Sequence, residues 1–378
     1  MNTETSERAA KARYIMIGGF LGAGKTTAVA ALAQSLHARG LRVGLITNDQ
    51  GSELVDTAML RAQGFSTEEI PGGCFCCRFN SLVDAAARLT DTTSPDVFIA
   101  EPVGSCTDLV ATVTYPLRRI YGDRFTIAPL SVLVDPVRAE RVLGLSSGGK
   151  FSEKVLYIYR KQLEEADLIV ISKCETLEPA RLDALETELQ SQFPAARVLR
   201  VSVRAGQGTD AWFHEMTTAE QGSRAALGID YEIYAEGEAL LGWLNATLQI
   251  RSDAAFDSSV LLKTFAADVQ SRLAPAEIAH LKMTLSPDGG LGDIAVVNLV
   301  RSDFVPELSL VLDEPVPGGQ LIVNLRAEAA PAELRAAVEA AAEALPHKIP
   351  GLRATIEHLE HFRPGKPEPT HRDTIPAF

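Results

Sequence analysis

GGFLGAGKTT, running from Gly18 to Thr27, follows the apolar run YIMIG and precedes TTAVAALAQSLHARG, whose apolar residues recur at helical spacing. Gly19, Gly24, Lys25 and Thr26 satisfy G-x-x-x-x-G-K-[ST], and they sit between a predicted strand and a predicted helix, where a phosphate-binding loop must lie. Gly19, Gly22 and Gly24, with the small Ala23 among them, let the backbone wrap close to phosphate so that successive N–H groups and the helix start face negative charge. On this geometry Lys25 reaches the β- and γ-phosphates, the Thr26 hydroxyl coordinates Mg²⁺, and the binding segment extends to Thr27.

Outward from that loop, short apolar runs alternate with longer helical patterns as far as about Gly206. The strand candidates are YIMIG from Tyr14, RVGLIT from Arg42, DVFIAE from Asp96, LSVLVD from Leu130, DLIVIS from Asp167 and RVLRVS from Arg197. Their nearly continuous hydrophobicity suits strands covered by helices on both faces, so the fold class is α/β, a doubly wound, mostly parallel sheet of the P-loop NTPase type. Beyond Gly206 the stretch GQGTDAWFHEMTTAEQGSRAALGIDYEIYAEGEA reads as a connector, and the domain boundary falls near Gly228. Residues 1–227 then form the nucleotide domain. Residues 228–378 form a smaller C-terminal α+β domain whose strand, helix, strand, strand, strand, helix succession has split βαβ character. Its last stretch, HFRPGKPEPTHRDTIPAF, is rich in Pro and charge and is expected to run extended over the surface.

Composition narrows the function classes. Thirty-six Lys and Arg against 49 Asp and Glu leave a formal charge of −13, which repels nucleic-acid backbones and anionic lipid, so neither nucleic acid nor membrane is an expected partner. MNTETSERAAKARY has no apolar core of a secretory signal, and no stretch approaches the roughly 18 apolar residues of a membrane span; the expectation is a cytoplasmic protein. Five cysteines, three of them within four positions, fit a metal or redox site in a reducing compartment better than a disulfide framework.

Two motifs extend the nucleotide site. DVFIAEPVG ends an apolar strand in Glu101, a carboxylate able to hold Mg²⁺ or its water, with Gly104 free to bring backbone to a γ-phosphate. DLIVISKCE ends another in Ser172, Lys173 and Glu175, at the position and spacing of the N-K-x-D base-reading loop of GTPases, with Ser for Asn and Glu for Asp. There the carboxylate accepts from guanine and the Lys stem packs on the ring. VSVRAG, from Val201, offers a last loop over the base.

Cys74, Cys76 and Cys77 form C-x-C-C after a double glycine and before RFNSLVDAAARLT, where Asn80 or Ser81 is the expected helix N-cap. Thiols ahead of a helix start are biased towards thiolate, and three sulfurs leave a coordination position open, which suits a carrier that must release its ion. Thiolates take Zn²⁺ or Cu(I) and also Co²⁺ or Ni²⁺. Cys106 is a candidate further ligand, His358 and His361 a candidate secondary metal pair, and Cys174 an occupant of the base loop. The residues alone leave other readings open: a small-molecule kinase with structural cysteines, or an ATP-dependent redox or iron–sulfur carrier.

Taken together, GGFLGAGKTT, TNDQGSELVD, GGCFCC, IAEPVG and ISKCE resemble the motifs of the CobW-type metallochaperone GTPases, relatives of the nickel-insertion GTPases of urease and hydrogenase maturation. The resemblance spans Tyr14 to about Gly206. It implies GTP and Mg²⁺ as cofactors, Cys74, Cys76 and Cys77 as ligands of the transferred metal, Lys25 and Glu101 as catalytic-site residues, and Asp56 as a switch aspartate joining Thr26 and Glu101 at Mg²⁺. Asp49 stands where the family usually has Glu, Gln50 where it has an aromatic, and no long His-rich insertion is present. The implied activity is slow GTP hydrolysis that hands a divalent metal, Zn²⁺ first with Co²⁺ or Ni²⁺ as alternatives, or a corrinoid, to a metalloprotein or corrinoid-protein client. A GTP-dependent homodimer is left open. Because the cysteines lie between the Asp49–Asp56 segment and Glu101, metal and γ-phosphate are expected to share moving backbone.

Overall fold

The computed structural model describes residues 11–50, 55–290 and 292–375, so the part of TNDQGSELVD at 51–54 lies outside the described residues. The first domain holds β1 (Ala12–Gly19), α1 (Lys25–Ala38), β2 (Val43–Asn48), α2 (Val55–Ala62), β3 (Thr67–Ile70), α3 (Phe79–Thr93) and β4 (Val97–Glu101). After a π-helical turn at Val110–Thr114 come α4 (Tyr115–Tyr121), β5 (Phe125–Ile127), β6 (Ser131–Val134), α5 (Pro136–Val142) and α6 (Glu153–Glu165). The domain continues through β7 (Leu168–Ile171), α7 (Pro179–Gln192), β8 (Arg197–Arg200) and α8 (Thr209–Thr218). Its strands lie in the order β3-β2-β4-β1-β6-β7-β8, all paired in parallel, with the short β5 also on β1.

Alternation along β1 explains the double winding. Ile15 and Ile17 enter one apolar core with Val29, Leu32 and Leu36 of α1, whereas Tyr14 and Met16 enter a second with Leu82 of α3 and Leu163 of α6. Both faces are therefore covered, and the carboxyl ends of β1, β2 and β4 open together on one edge, the usual place for a ligand in such sheets. The six sequence-predicted strands are all present; β3 and β5, at four and three residues, are too short to carry a periodic signal.

The predicted connector is more ordered than its composition suggested. Trp212, Phe213 and Met216 bury α8 against the sheet, with the Trp212 indole N–H donating to Ser131 Oγ at 2.9 Å. Asp230 then caps α9 (Tyr231–Leu240), accepting from the N–H groups of Glu232 and Ile233, and α9 packs on α6.

The second sheet comprises β9 (Gly242–Phe256), β10 (Ile278–Pro287), β11 (Ala295–Leu299), β12 (Glu307–Leu310), β13 (Val316–Ala327) and β14 (Leu352–Phe362). Its order is β12-β11-β10-β13-β9-β14, antiparallel throughout, so β13 is inserted between β9 and β10, as a split βαβ unit requires. α10 (Ser258–Leu273) and α11 (Pro331–Lys348) contribute to the same apolar core as Leu244, Ala246, Leu248 and Ile250 of β9. The intervening Asn245 and Thr247, with His280, Asn324 and Arg326, are polar and nonetheless buried.

Glu165, at the end of α6, is a buried acid whose Oε2 accepts the Val110 N–H at 3.2 Å and Oε1 the Thr107 hydroxyl at 3.1 Å. Burial, and then the charge of Asp108, push its pKa from 4.5 up to about 8. An acid raised in the folded state stabilises the fold fully below its unfolded value, and that contribution is lost as pH climbs towards about 8. Glu165→Gln removes the ionisation and should flatten the pH dependence of urea denaturation between about pH 5 and 8, gaining on wild type at the upper end. Parallel profiles for the two proteins would contradict this.

Candidate functional site

The loop after β1 starts α1 with Gly24 at φ 91°, a left-handed conformation that an L side chain resists. Lys25 and Thr26 are buried directly behind it. Thr26 Oγ1 lies 2.6 Å from Asp56 Oδ1 at the start of α2 and 3.0 Å from Glu101 Oε1 at the tip of β4. Glu101 Oε2 is buried with no hydrogen-bond partner, and burial, then the neighbouring Asp56, raise this carboxyl to about 7. Burial works against ionisation of Asp56 too, but the Lys282 ammonium beside it holds its pKa below the ordinary value. One hydroxyl and two carboxylates converging, with an unpartnered oxygen among them, form a donor set of the hard-oxygen kind that Mg²⁺ takes. Gly104 follows on, so close to Leu21 of the phosphate loop that a Cβ would fall 2.8–2.9 Å from it.

The base loop closes the other side. Ser172 Oγ donates to carbonyl oxygens of Ala23 at 2.7 Å and Val134 at 2.9 Å; Lys173 Nζ donates to Gly22 O at 3.1 Å and Asp135 Oδ2 at 3.2 Å. Ser172 and Lys173 are thus tied to the phosphate loop itself. A cavity bounded by Gly24, Thr27, Glu175, Val203, Arg204 and Trp212 lies beside them, so ISKCE and VSVRAG do meet over one space. Cys174 is buried beneath the loop.

The three cysteines close into a turn, with Cys77 N–H and Arg78 N–H both donating to Cys74 O. Their sulfurs stand 2.7 Å (Cys74–Cys76), 3.3 Å (Cys74–Cys77) and 3.6 Å (Cys76–Cys77) apart, the one such group of metal-ligating side chains among the described residues. Cys106 is buried against Cys74 and, with Cys76 and Cys77, hydrogen-bonds it, which draws the Cys74 thiol well below its ordinary pKa. The donors move the other way: Cys76 well up, and Cys77 to about 11, each chiefly through Cys74. The N-cap of the helix behind the turn is Arg78, two residues before Asn80 and three before Ser81, so both expected caps fall inside α3, whose first residue, Phe79, is buried.

Two routes, one through hydrogen bonds and one through continuous chain, join the thiols to the nucleotide side. From β2, Asn48 Nδ2 donates to Ile70 O at 2.9 Å and Gly73 O at 2.6 Å, immediately before Cys74, while Asp49 continues towards the phosphate site. From β4, the chain passes from Glu101 through Gly104 to Ser105, whose hydroxyl donates to the buried Glu238 of α9 at 2.6 Å, and then to Cys106. Gln162 of α6 steadies that segment by donating to Gly104 O and Cys106 O.

Several site residues carried no sequence motif. Lys282, Asn324 and Arg326 of the second sheet reach the first domain: Lys282 to Asp56 and Thr26, Asn324 to Val55, Arg326 to Asp49. The C-terminal stretch, extended as expected, crosses the cysteine turn: Thr370 N–H donates to Cys76 O, Thr370 Oγ1 to Cys77 O, and Glu368 N–H lies 3.3 Å from Cys77 Sγ. His371 packs edge-on against Phe79. His358 and His361 lie three apart on β14, hence on opposite faces, so the strand does not bring them together as a pair. No helix among the described residues is long and apolar enough to cross a membrane.

Residues 13–200 match the family described as CobW/HypB/UreG, nucleotide-binding domain. The zinc chaperone CobW of a Sinorhizobium species is 28% identical over 206 residues, covering 47% of this chain and 55% of its own. The zinc chaperone YeiR of Escherichia coli (strain K12) is 29% identical over 177 residues, covering 46% and 50%. The chain thus spans about half the length of these curated relatives. Among solved structures, HypB from Helicobacter pylori in complex with nickel is 18% identical with a TM-score of 0.38, over 55% of this chain and 90% of that one. The parallel-sheet fold, the phosphate loop and the C-x-C-C turn coincide with the matched segment, and through this nucleotide-binding domain the chain belongs to the CobW-type metallochaperone GTPase family.

Proposed function

We propose that the protein binds and slowly hydrolyses GTP and couples that cycle to the capture and delivery of a thiolate-bound divalent metal to a client metalloprotein. The carrying observation is that Asn48, one residue before Asp49, hydrogen-bonds the backbone that leads into Cys74. In this reading Lys25 faces the β- and γ-phosphates, Thr26, Asp56 and Glu101 would hold Mg²⁺, and Ser172, Lys173 and Glu175 border the guanine. The ion supplies charge neutralisation at the terminal phosphates; the chain's own oxygens fix where that charge sits.

Cys74, Cys76 and Cys77 are the cargo ligands. Zn²⁺ is the first candidate, supported by relatives named as zinc chaperones and by a 24% identical Dictyostelium discoideum relative named zinc-regulated GTPase metalloprotein activator 1. Co²⁺ and Ni²⁺ remain within the ligand chemistry, and a corrinoid is the other candidate cargo. A reducing, cytoplasmic setting suits thiols that must stay free, and all five cysteines are unpaired.

If metal and nucleotide share backbone, each must tighten the other by the same factor, typically about 5–150-fold for a coupling of roughly 1–3 kcal/mol. GTP affinity measured with and without Zn²⁺ should therefore rise at least about fivefold in wild type and not at all in Cys76→Ala; four equal affinities would remove the coupling. Asn48→Ala should lower unfolding stability by about 1–3 kcal/mol through two lost donors and shrink the Zn²⁺ effect on GTP, while leaving the three sulfurs in place. An Asn48→Ala protein with full coupling would show that the amide is only structural.

A further inference from the structure

The corner formed by Thr26, Asp56 and Glu101 already contains a cation supplied by the other domain. Lys282 Nζ stands 2.5 Å from Asp56 Oδ1 and 3.2 Å from Thr26 Oγ1, which is itself 3.0 Å from Glu101 Oε1. Magnesium binds oxygen at about 2.0–2.1 Å in a nearly octahedral shell, so an ion on Thr26 Oγ1 and the adjoining carboxylates would meet an ammonium touching two of the same oxygens. Like charges repel in a buried site, so the two cations would compete for the same oxygens.

Lys282 arrives there on a built surface. In the antiparallel register of β10 and β13, Lys282 is opposite Asn324 and His280 opposite Arg326, which places all four on one face of the second sheet. Asn324 Oδ1 accepts the Val55 N–H at 2.9 Å, and the fully buried Arg326 forks onto Asp49 at 3.1 and 3.2 Å. Asp49 follows β2 and Val55 begins α2, so the sheet holds these two residues while Lys282 fills the cation corner.

We propose that Lys282 is an internal stand-in for Mg²⁺. Without a divalent ion its ammonium neutralises Asp56, braces Thr26 and keeps the second sheet closed on Asp49 and Val55. Magnesium entering with nucleotide takes the corner, displaces the ammonium and loosens the sheet's hold on Asp49 and Val55. Closure of the second sheet and Mg²⁺ binding are then mutually exclusive at one site, and the sheet reads the nucleotide state through Lys282. The inference rests on the nucleotide and Mg²⁺ reading above, but not on metal delivery.

The test compares wild type, Lys282→Met and Lys282→Arg for binding of a fluorescent GDP analogue in EDTA and during a Mg²⁺ titration. In EDTA, Lys282→Met should bind about tenfold or more weakly than wild type, having lost the resident cation, and Lys282→Arg should stay near wild type. In the titration the order reverses: Lys282→Met should half-saturate at about a tenfold lower Mg²⁺ concentration, because nothing competes. In wild type with GDP, hydrogen exchange across Val55–Ala62 should speed up when Mg²⁺ replaces EDTA; this decides the question even if Lys282→Met does not fold. Unchanged exchange, or a Lys282→Met protein that matches wild type in both titrations, overturns the proposal. Wild type that fails to bind the GDP analogue even with Mg²⁺ overturns the nucleotide reading beneath it.

Discussion

The carboxamide of Asn48 is the constraint on which the arrangement depends. It is buried at the carboxyl end of β2, and its two donated bonds, to Ile70 O and Gly73 O, fasten the peptide before the cysteine turn to the residue before Asp49. A buried amide gives little slack, since letting go of either carbonyl leaves donor and acceptor unsatisfied. In the proposed cycle this amide carries a displacement at Asp49 to Gly73 and so to Cys74.

The second connection has the same logic on the neighbouring strand. β4 lies beside β2 and delivers Glu101 to the cation corner, and within five residues the chain has passed the phosphate loop at Gly104 and reached Cys106 against Cys74. Parallel strands end on a common edge, so a phosphate site at the ends of β1, β2 and β4 and the cysteine turn that follows β3, the neighbour of β2, lie close by topology. That answers why one domain carries both a phosphate loop and a soft-metal turn. The second sheet adds a third party: Arg326 on Asp49 and Lys282 on Asp56 tie it to the end of β2 and the start of α2.

How much of this was legible in the sequence follows the range of each interaction. The phosphate loop, Glu101 and C-x-C-C are local patterns in which neighbouring residues impose the geometry, and the structure brings Thr26 to Glu101 and the three sulfurs together. The connector was misread because its Gly, Thr and acidic content hid the burial of Trp212 and the Asp230 cap. Lys282, Asn324 and Arg326 were invisible for a different reason. Alternation in LKMTL and IVNLRA marks one face as polar, but only the strand register and the packing of two domains decide that this face meets Asp49, Val55 and Asp56. Asn48 bonds to residues more than twenty positions away, and no spacing rule marks it.

The most direct measurement of the central claim looks at the sulfurs while the nucleotide changes. With Co²⁺ bound in place of the cargo metal, thiolate-to-cobalt absorption and Co²⁺ affinity are recorded with GDP and then with a non-hydrolysable GTP analogue, Mg²⁺ being present in both. Transmission through Asn48 and the Glu101–Cys106 segment predicts a changed absorption band together with an affinity change of about fivefold or more. Identical spectra and identical affinities in the two nucleotide states would mean that the thiolate turn does not sense the phosphate site.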